Sequence, residues 1–397
     1  MNITYILSQY PARSETFIAR EMRELVRRGD DLTIARLRWS DTGSGMRVED
    51  ATVLGLHWNP IDWLLGLGWG LAKAPRVVLR IGRDIGTAAT LSSLWWRLLV
   101  LALVALALGR SIRRQPPDHL RAHLLDSEAI VARWLSQLLG VPYSVTIHTL
   151  TTRFPPPLLR RTVEDASFCA TISQETKHMV GALASQTPPV RLIRNGVRIP
   201  DCPSRSQRTS SRVQLLAVGR LIEKKGFDVL LNACSLLRSW IRPFQCTVIG
   251  DGPLRPSLED QARHQGLTPF VTFHGAQPNG EVLRAIRRHD ILAMPSRPTE
   301  TGDRDGIPTV LIEAMAHGTF VVASAFAAIP ELIVDGETGR LVPPGDPEAL
   351  ARALARAVDR PQEVSRMRMR GRARTVRDFN LAREVGTLQT LIRSTTQ

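Results

Sequence analysis

The chain has 397 residues, 43% hydrophobic and 22% charged, with 52 Lys and Arg against 37 Asp and Glu, a formal net charge of +15 and a pI near 10.9. These proportions are globular and exclude wholesale disorder, and the length accommodates two domains that each bury a core. The positive balance calls for an anionic partner, drawn from nucleic acid, an acidic membrane surface or phosphorylated small molecules.

Residues 1–8 have neither a basic start nor a long apolar stretch. They read as a first strand, at 3–7, rather than as a signal peptide. Ser14 is a good cap for a helix over 15–28 that stops at Gly29, and 31–37 supplies the next strand. Alternation of this kind predicts a parallel α/β sheet. Residues 58–108 break it. Five of the eight tryptophans fall there (Trp58, Trp63, Trp69, Trp95 and Trp96), among leucines and scattered Arg and Lys. That composition fits either helices at a membrane interface or a helical insertion packed on the sheet. The longest apolar run, 98–108, is shorter than the ~20 residues that a bilayer span needs. Further on, 127–139 is a helix closed by Gly140, and 143–148, 168–172 and 190–193 are strands, the last leading to Asn195-Gly196.

The polar, proline-containing stretch 201–212 reads as an interdomain linker. After it the alternation restarts, with strands at 213–218, 244–249, 271–274, 291–295 and 319–323 and helices at 226–240, 254–265, 280–287 and from Pro308. Ligands of open parallel sheets bind beyond the strand C-termini, so the chemistry is expected in a cleft between two such units.

The helix from Pro308 to Gly318 carries the sharpest signal. Val310, Leu311, Ile312, Ala314, Met315 and Ala316 cover most of its circumference at about 100° per residue, the mark of a buried helix. Glu313 interrupts them. A carboxylate there is costly unless hydroxyls, amides or a cation satisfy it. Asp305 precedes it by eight positions, in the loop feeding the helix N-terminus, where N–H groups and the dipole favour anions. A polyhydroxylated, phosphorylated ligand would use both acids and the helix start.

The loop after Val218 carries Arg220 and Lys225, a guanidinium fork and a point charge suited to a diphosphate, although basic loop residues are also commonly just solvated. Gly250-Asp251-Gly252-Pro253 is a tight turn, but Arg255 stands where a nicotinamide fingerprint needs its third glycine. His148 at a strand end and His123 after Asp118 and His119 each have a structural reading beside a functional one. Ser14-Glu15-Thr16 is explained by capping, or by a cleft-facing helix start near the acceptor. Cys169, Cys202, Cys234 and Cys246 form no C-x-x-C pair and no cluster with histidine, which reads as reduced thiols of a cytosolic protein. The dispersed basic residues and the lack of an aromatic–basic reading motif argue against nucleic acid.

Taken in order, Ser14-Glu15-Thr16-Phe17-Ile18, the stretch 217–227, Ile249-Gly250-Asp251-Gly252-Pro253, the stretch 305–318, Ile329-Pro330-Glu331-Leu332-Ile333 and Asp335-Gly336-Glu337-Thr338-Gly339 resemble the retaining glycosyltransferases of family 4 (group 1), within them the bacterial exopolysaccharide and colanic-acid branch. The resemblance is dense over 213–347 and looser before it. It implies a GT-B architecture of two facing Rossmann-like domains: an acceptor domain over 1–200, the linker, a donor domain over 213–375, and a C-terminal helix in 376–397 packing back on the first domain. It further implies that Arg220, Lys225, Gly250, Asp251, Glu313 and the backbone of Gly306, Ile307, Pro308, Thr309 and Val310 bind the donor. Asp305 and His148 would lie beside the donor sugar, completing a catalytic set with Arg220 and Lys225. Ser14, Glu15, Thr16 and His123 would lie on the acceptor side.

No metal or other cofactor is implied, because in this family the two cations stand in for the ion that other transferases use. The implied partners are a nucleotide-sugar donor and a glycan or lipid-linked glycan acceptor; separately, segment 58–108 and the positive charge point to an anionic inner-membrane surface, for a cytoplasmic or inner-face peripheral protein. Four positions depart from the pattern: Asp305 is one methylene shorter than the usual glutamate, Thr151 holds the place of an aspartate, Arg198 that of an acid, and Arg121 that of a histidine. A catalytically weakened nucleotide-sugar-binding partner subunit and a nucleotide-sugar epimerase are the competing readings.

Overall fold

The computed structural model describes the chain apart from residues 12–15, 38–47, 56–58, 92, 94, 150–153, 185–187, 202–211, 241–242, 301, 303–305 and 397. Its contacts divide it into two units, Met1–Asn195 with Leu381–Gln397, and Gly196–Asn380. The second unit therefore begins ahead of the polar stretch 201–212, most of which lies outside the described residues.

The first unit runs β1 (Asn2–Leu7), α1 (Thr16–Arg27), β2 (Asp31–Arg36), β3 (Thr52–Gly55), α2 (Pro60–Lys73), α3 (Pro75–Leu91), α4 (Trp95–Ile112), β4 (His119–His123), α5 (Ser127–Leu139), β5 (Tyr143–Ile147), α6 (Pro156–Glu164), β6 (Phe168–Thr171), α7 (Gln174–Leu183) and β7 (Val190–Leu192). The strands form one parallel sheet in the order β3-β2-β1-β4-β5-β6-β7. Its central strands are buried, as a parallel sheet covered on both faces must be. One face packs on α3–α6, with Leu120, Ala122, Val145 and Ile147 in that core. On the other, Met22 and Leu25 of α1 meet Ile3 and Tyr5.

The second unit runs β8 (Val213–Val218), a 3-10 turn at Glu223–Lys225, α8 (Phe227–Ser239), β9 (Phe244–Ile249), α9 (Arg255–His264), β10 (Val271–Phe273), α10 (Asn279–Arg288), β11 (Ile291–Met294), α11 (Thr309–Ala316), β12 (Phe320–Ser324), α12 (Ile329–Leu332), β13 (Arg340–Val342), α13 (Pro347–Asp359) and α14 (Pro361–Asp378). Its sheet is also parallel, in the order β10-β9-β8-β11-β12-β13. The chain then returns to the first unit as α15 (Leu381–Ser394), whose Val385, Leu388 and Ile392 join the core under α1. Buried Asp30 anchors it, accepting from Gln389 Nε2 at 2.6 Å and lying 3.5 Å from Arg393.

The order of each sheet reverses once, between β1 and β4 and between β8 and β11. Strands at such a switch point send their following loops to opposite sides and leave a crevice at their C-terminal ends.

The apolar run 98–108 belongs to a longer helix than its composition indicated. Trp95, Trp96, Arg97 and Arg110 keep helical hydrogen bonding, so α4 has 18 residues, and by length and composition alone it could cross a membrane. Its side from Leu98 to Gly109 is largely buried against the rest of the unit.

Candidate active site

In the second unit, the loops after β8, β9 and β11 are locked to one another by close approach of backbone. Gly226 sits at φ +65°, and a Cβ there would collide with the carbonyl oxygen of Pro295 just beyond β11. A Cβ at Gly250 would collide with the carbonyl oxygen of Gly219. Leu221 N donates to Asp251 O at 2.9 Å, and Arg297 N donates to Lys224 O at 3.0 Å. Only glycine permits the first two contacts. Together they carry Arg220, Lys225, Gly250 and Asp251 to the switch-point end of the sheet, with the loop that feeds α11. Arg220 is exposed, and the half-buried Lys225 lays its Cδ and Cε across Gly219. Asp251 accepts from Gly252 N at 2.8 Å and lies 3.7 Å from Arg255.

Helix α11 is buried along its length from Val310 to Ala316, including Glu313, which is 5% exposed. Pro308 is its N-cap rather than a first-turn residue, and no described side chain caps the N-terminus. Free N–H groups there suit an anion. The C-terminal end closes with Gly318 at φ +71°, Thr319 N donating to Ala314 O and Gly318 N to Met315 O, a Schellman cap. One Glu313 oxygen accepts from Asn279 Nδ2 at 3.3 Å. Ser296, 2% exposed and two residues beyond β11, has a hydroxyl without a hydrogen-bond partner among the described residues. Gly306, Ile307, Thr309 and Val310 lie on or beside the helix start, whereas Asp305 lies outside the described residues. Asn279 and Ser296 were not anticipated from sequence.

The first unit holds a second cluster, at its own switch point. Strand β4 alternates His119, Arg121 and His123 on one face with Leu120 and Ala122 on the other, and its register pairs Arg121 with Ser144, His123 with Thr146 and Tyr5 with Arg121. Onto this polar face α1 lowers Glu21. Its carboxylate accepts from Tyr5 Oη at 2.7 Å, Arg121 Nε at 2.8 Å and Nη2 at 3.1 Å, and His123 Nε2 at 3.0 Å. Arg121, fully buried, also donates to Ser144 Oγ at 3.2 Å and Thr146 Oγ1 at 2.6 Å. His123 Nδ1 lies 3.3 Å from His148 Nε2, and the Phe17 ring lies 4.6 Å from the His148 ring.

Burial works to raise the Glu21 carboxyl, but the charge of Arg121, with the hydrogen bonds from His123 and Arg121, outweighs it and holds the group well below its ordinary range. Glu21 is therefore ionised and accepts only. His123, pushed down by burial, is neutral and must donate from Nε2, which leaves its Nδ1 as an acceptor. His148 must then donate from Nε2, and its own Nδ1 is left as a lone-pair acceptor. A carboxylate thus sets the tautomers of two rings in series. Of the residues expected in the first unit, His123 and His148 come together and Thr16 opens α1; Ser14, Glu15 and Thr151 lie outside the described residues. Glu21, Tyr5 and Phe17 were missed. Ile18, Met22 and Leu25 form the buried stripe of α1, and half-buried Glu21 stands only at its edge.

Burial, reinforced by Arg121, lowers His119 to about 3, and burial, reinforced by His123, lowers His148 to about 3. Unfolded, both protonate near pH 6.5. Between these values the unfolded chain binds protons that the folded chain does not, so stability is lost as pH falls below about 6.5, by about 1.4 kcal/mol per pH unit per ring. Urea unfolding is expected to show about 4 kcal/mol less stability at pH 5 than at pH 7.5 from these two rings. A flat profile over that interval would mean that the rings are hydrated.

Among the described residues, no group of three or more His, Cys, Asp or Glu could hold a metal ion. Residues 212–360, most of the second unit, match the family described as Glycosyl transferases group 1. The chain is 38% identical over 168 residues to the amylovoran biosynthesis glycosyltransferase AmsK of Erwinia amylovora, covering 42% of this chain and 41% of that protein. It is 34% identical over 169 residues to the putative colanic acid biosynthesis glycosyltransferase WcaL of Escherichia coli K12, covering 42% of each. The match therefore spans well under half of the length of either relative. Anabaena HepE, solved in complex with UDP-glucose, superposes with a TM-score of 0.75 at 17% identity, covering 99% of this chain and 100% of that one. The second unit is a glycosyl transferase group 1 domain, and the chain has the GT-B fold of two Rossmann-like units.

Proposed function

We propose that the protein is a retaining hexosyltransferase that moves a sugar from a nucleotide-sugar donor to a hydroxyl of a glycan or lipid-linked glycan in bacterial exopolysaccharide synthesis. What supports this reading is that the loop carrying Arg220 and Lys225 is locked to the segment after β11 that leads into α11, a helix whose N-terminus no described side chain caps and whose acid Glu313 is buried. Two cations and free N–H groups suit a diphosphate, and a buried carboxylate suits ribose hydroxyls. The buried Ser296 hydroxyl, unpaired among the described residues, adds one more polar group. AmsK, WcaL and HepE, named above for polysaccharide synthesis or UDP-glucose, point the same way.

In the proposed reaction the bond between the sugar C1 and the diphosphate oxygen breaks, and its electron pair leaves with the phosphate. Arg220, Lys225 and the α11 N-terminus stabilise that charge, as preorganised donors do at a leaving group, in place of a metal ion. The acceptor hydroxyl adds to the same face of C1 and passes its proton to the departing phosphate. Glu313 holds the ribose, Gly250 and Asp251 border the donor, and Asp305 contacts its sugar. His148, with Nδ1 fixed as an acceptor, takes a hydrogen bond from a sugar hydroxyl, while Thr16 and His123 belong to the acceptor side with Ser14 and Glu15.

The test is a screen of UDP-, GDP- and ADP-sugars against glycan and lipid-linked acceptors, with NMR assignment of the product's anomeric centre. Transfer with retention supports the reading. Inversion would overturn the stereochemical part, and tight donor binding without transfer across a broad acceptor set would favour a non-catalytic partner subunit.

A further inference from the structure

Helix α2 is built inside out for a protein surface facing water. Ile61, Leu64, Leu65 and Leu71, at helical spacing on one side, are exposed, Leu64 to 70% and Ile61 to 62%. The buried side consists of Gly66 and Gly70. A Cβ at Gly66 would lie 2.6 Å from the backbone nitrogen of Ala107, so α2 rests directly on the α4 backbone. A pair of glycines four apart brings two helices into contact while turning the large side chains away, a device suited to apolar surroundings. A surface helix in water turns such a stripe inward. Helix α4 is the inner member, buried at Leu98, Ala102 and from Val104 to Gly109, and α2 is the outer one.

The surrounding charge says what covers the stripe. Residues 60–114 hold eight Lys and Arg against two Asp. One of the acids, Asp84, is turned inward, 2% exposed, and held by Arg133 at 2.6 Å and Arg161 at 2.9 Å. That pairing fixes α3, which packs beside α2 and exposes Arg76, Arg80 and Arg83. Trp95 and Trp96 stand exposed at the start of α4, with the Arg97 guanidinium 5.3 Å from the Trp96 ring centre. An exposed apolar stripe, exposed arginines on the helix packed beside it and exposed tryptophans on α4 complement an anionic lipid surface. A second copy of the chain would bring like charge against like.

We propose that α2 and α3 form the face by which this protein seats on a bilayer containing anionic lipid. The α2 stripe enters the acyl boundary and the α3 arginines lie among the headgroups. The helices rest on the bilayer without crossing it, since α4 is committed to the core. This inference is independent of the donor site, and its test needs no turnover. Full-length protein is floated with vesicles of phosphatidylglycerol and phosphatidylcholine, and with phosphatidylcholine alone.

The expected result is recovery with the anionic vesicles, reduced at least tenfold by Leu64→Glu/Leu71→Glu and similarly by Arg76→Glu/Arg80→Glu. Because all four side chains are exposed, thermal melts are expected to stay unchanged, which separates lost docking from lost folding. Wild-type protein left in the aqueous fraction would overturn the proposal, as would equal recovery of the Leu64→Glu/Leu71→Glu variant. A dimer in sedimentation that this variant dissolves, without vesicle binding, would assign the face to a second copy instead.

Discussion

Glu21→Ala is expected to destabilise the first unit by about 3–5 kcal/mol, the cost of leaving a buried cation without its carboxylate. The Glu21 side chain is 13% exposed, Arg121 is fully buried, and Tyr5 and His123 both donate to the same carboxylate. Ser144 and Thr146 are hydroxyls and cannot neutralise the charge that remains. Glu21→Leu/Arg121→Met is expected to be more stable than Glu21→Ala by most of that loss, because an apolar pair of similar volume removes both charges together. Denaturant unfolding of Glu21→Ala and of the double variant measures the difference. A loss below about 1 kcal/mol for Glu21→Ala, near the ceiling for an exposed pair, would mean that water reaches the cluster.

Lys225→Ala and Arg220→Ala are each expected to lower turnover by a factor on the order of 10² or more, the size of a lost charge stabiliser at a leaving group. Arg220 is exposed and Lys225 only half-buried, so neither substitution is expected to change stability by more than about 0.5 kcal/mol. The loss should appear in kcat as well as in kcat/KM, since the charge being stabilised is larger in the transition state than in the bound donor. A change confined to KM would reduce the two residues to ground-state grips on the diphosphate. Near-normal turnover in either variant would remove it from the site.

The carboxylate logic that picked out Glu313 applies equally to Glu21, and the contrast shows where reading along the chain stops. Glu313 interrupts an apolar sequence almost without polar neighbours, so the anomaly is local. Glu21 lies between Arg20 and Arg23 in a helix with a solvated side, and a single acid there looks ordinary. What makes it unusual is Arg121, a hundred residues away, brought under α1 by the β1–β4 pairing. Residues 119–123 had the same problem. No strand was expected from His119, Arg121 and His123, yet they form the middle strand of the sheet because their side chains share one face and find partners on β1, β5, α1 and at Thr395 just after α15.

The departure at Arg121 takes on meaning in that setting. An arginine in the place of a histidine is compatible with the fold because Glu21 lies within reach of its whole fork. The segment 58–108 was legible only as a choice between an interfacial and a packed helical insertion. The structure contains both elements of that choice, a packed α4 and an outward-facing α2. Spacing alone could not divide the roles, since Gly66 and Gly70 are equally at home in a loose helix and in a close helix–helix contact.

Composition and periodicity by themselves determined the two parallel α/β units, the buried helix with its acid, and the glycine-marked loops after β8 and β9, because each follows from local backbone and burial preferences. Only the tertiary structure decided that a carboxylate on α1 sets the state of two distant histidines and that α2 turns its leucines outward. These depend on which strand pairs with which and which helix face meets a neighbour, contacts between residues far apart in the chain that no local pattern encodes.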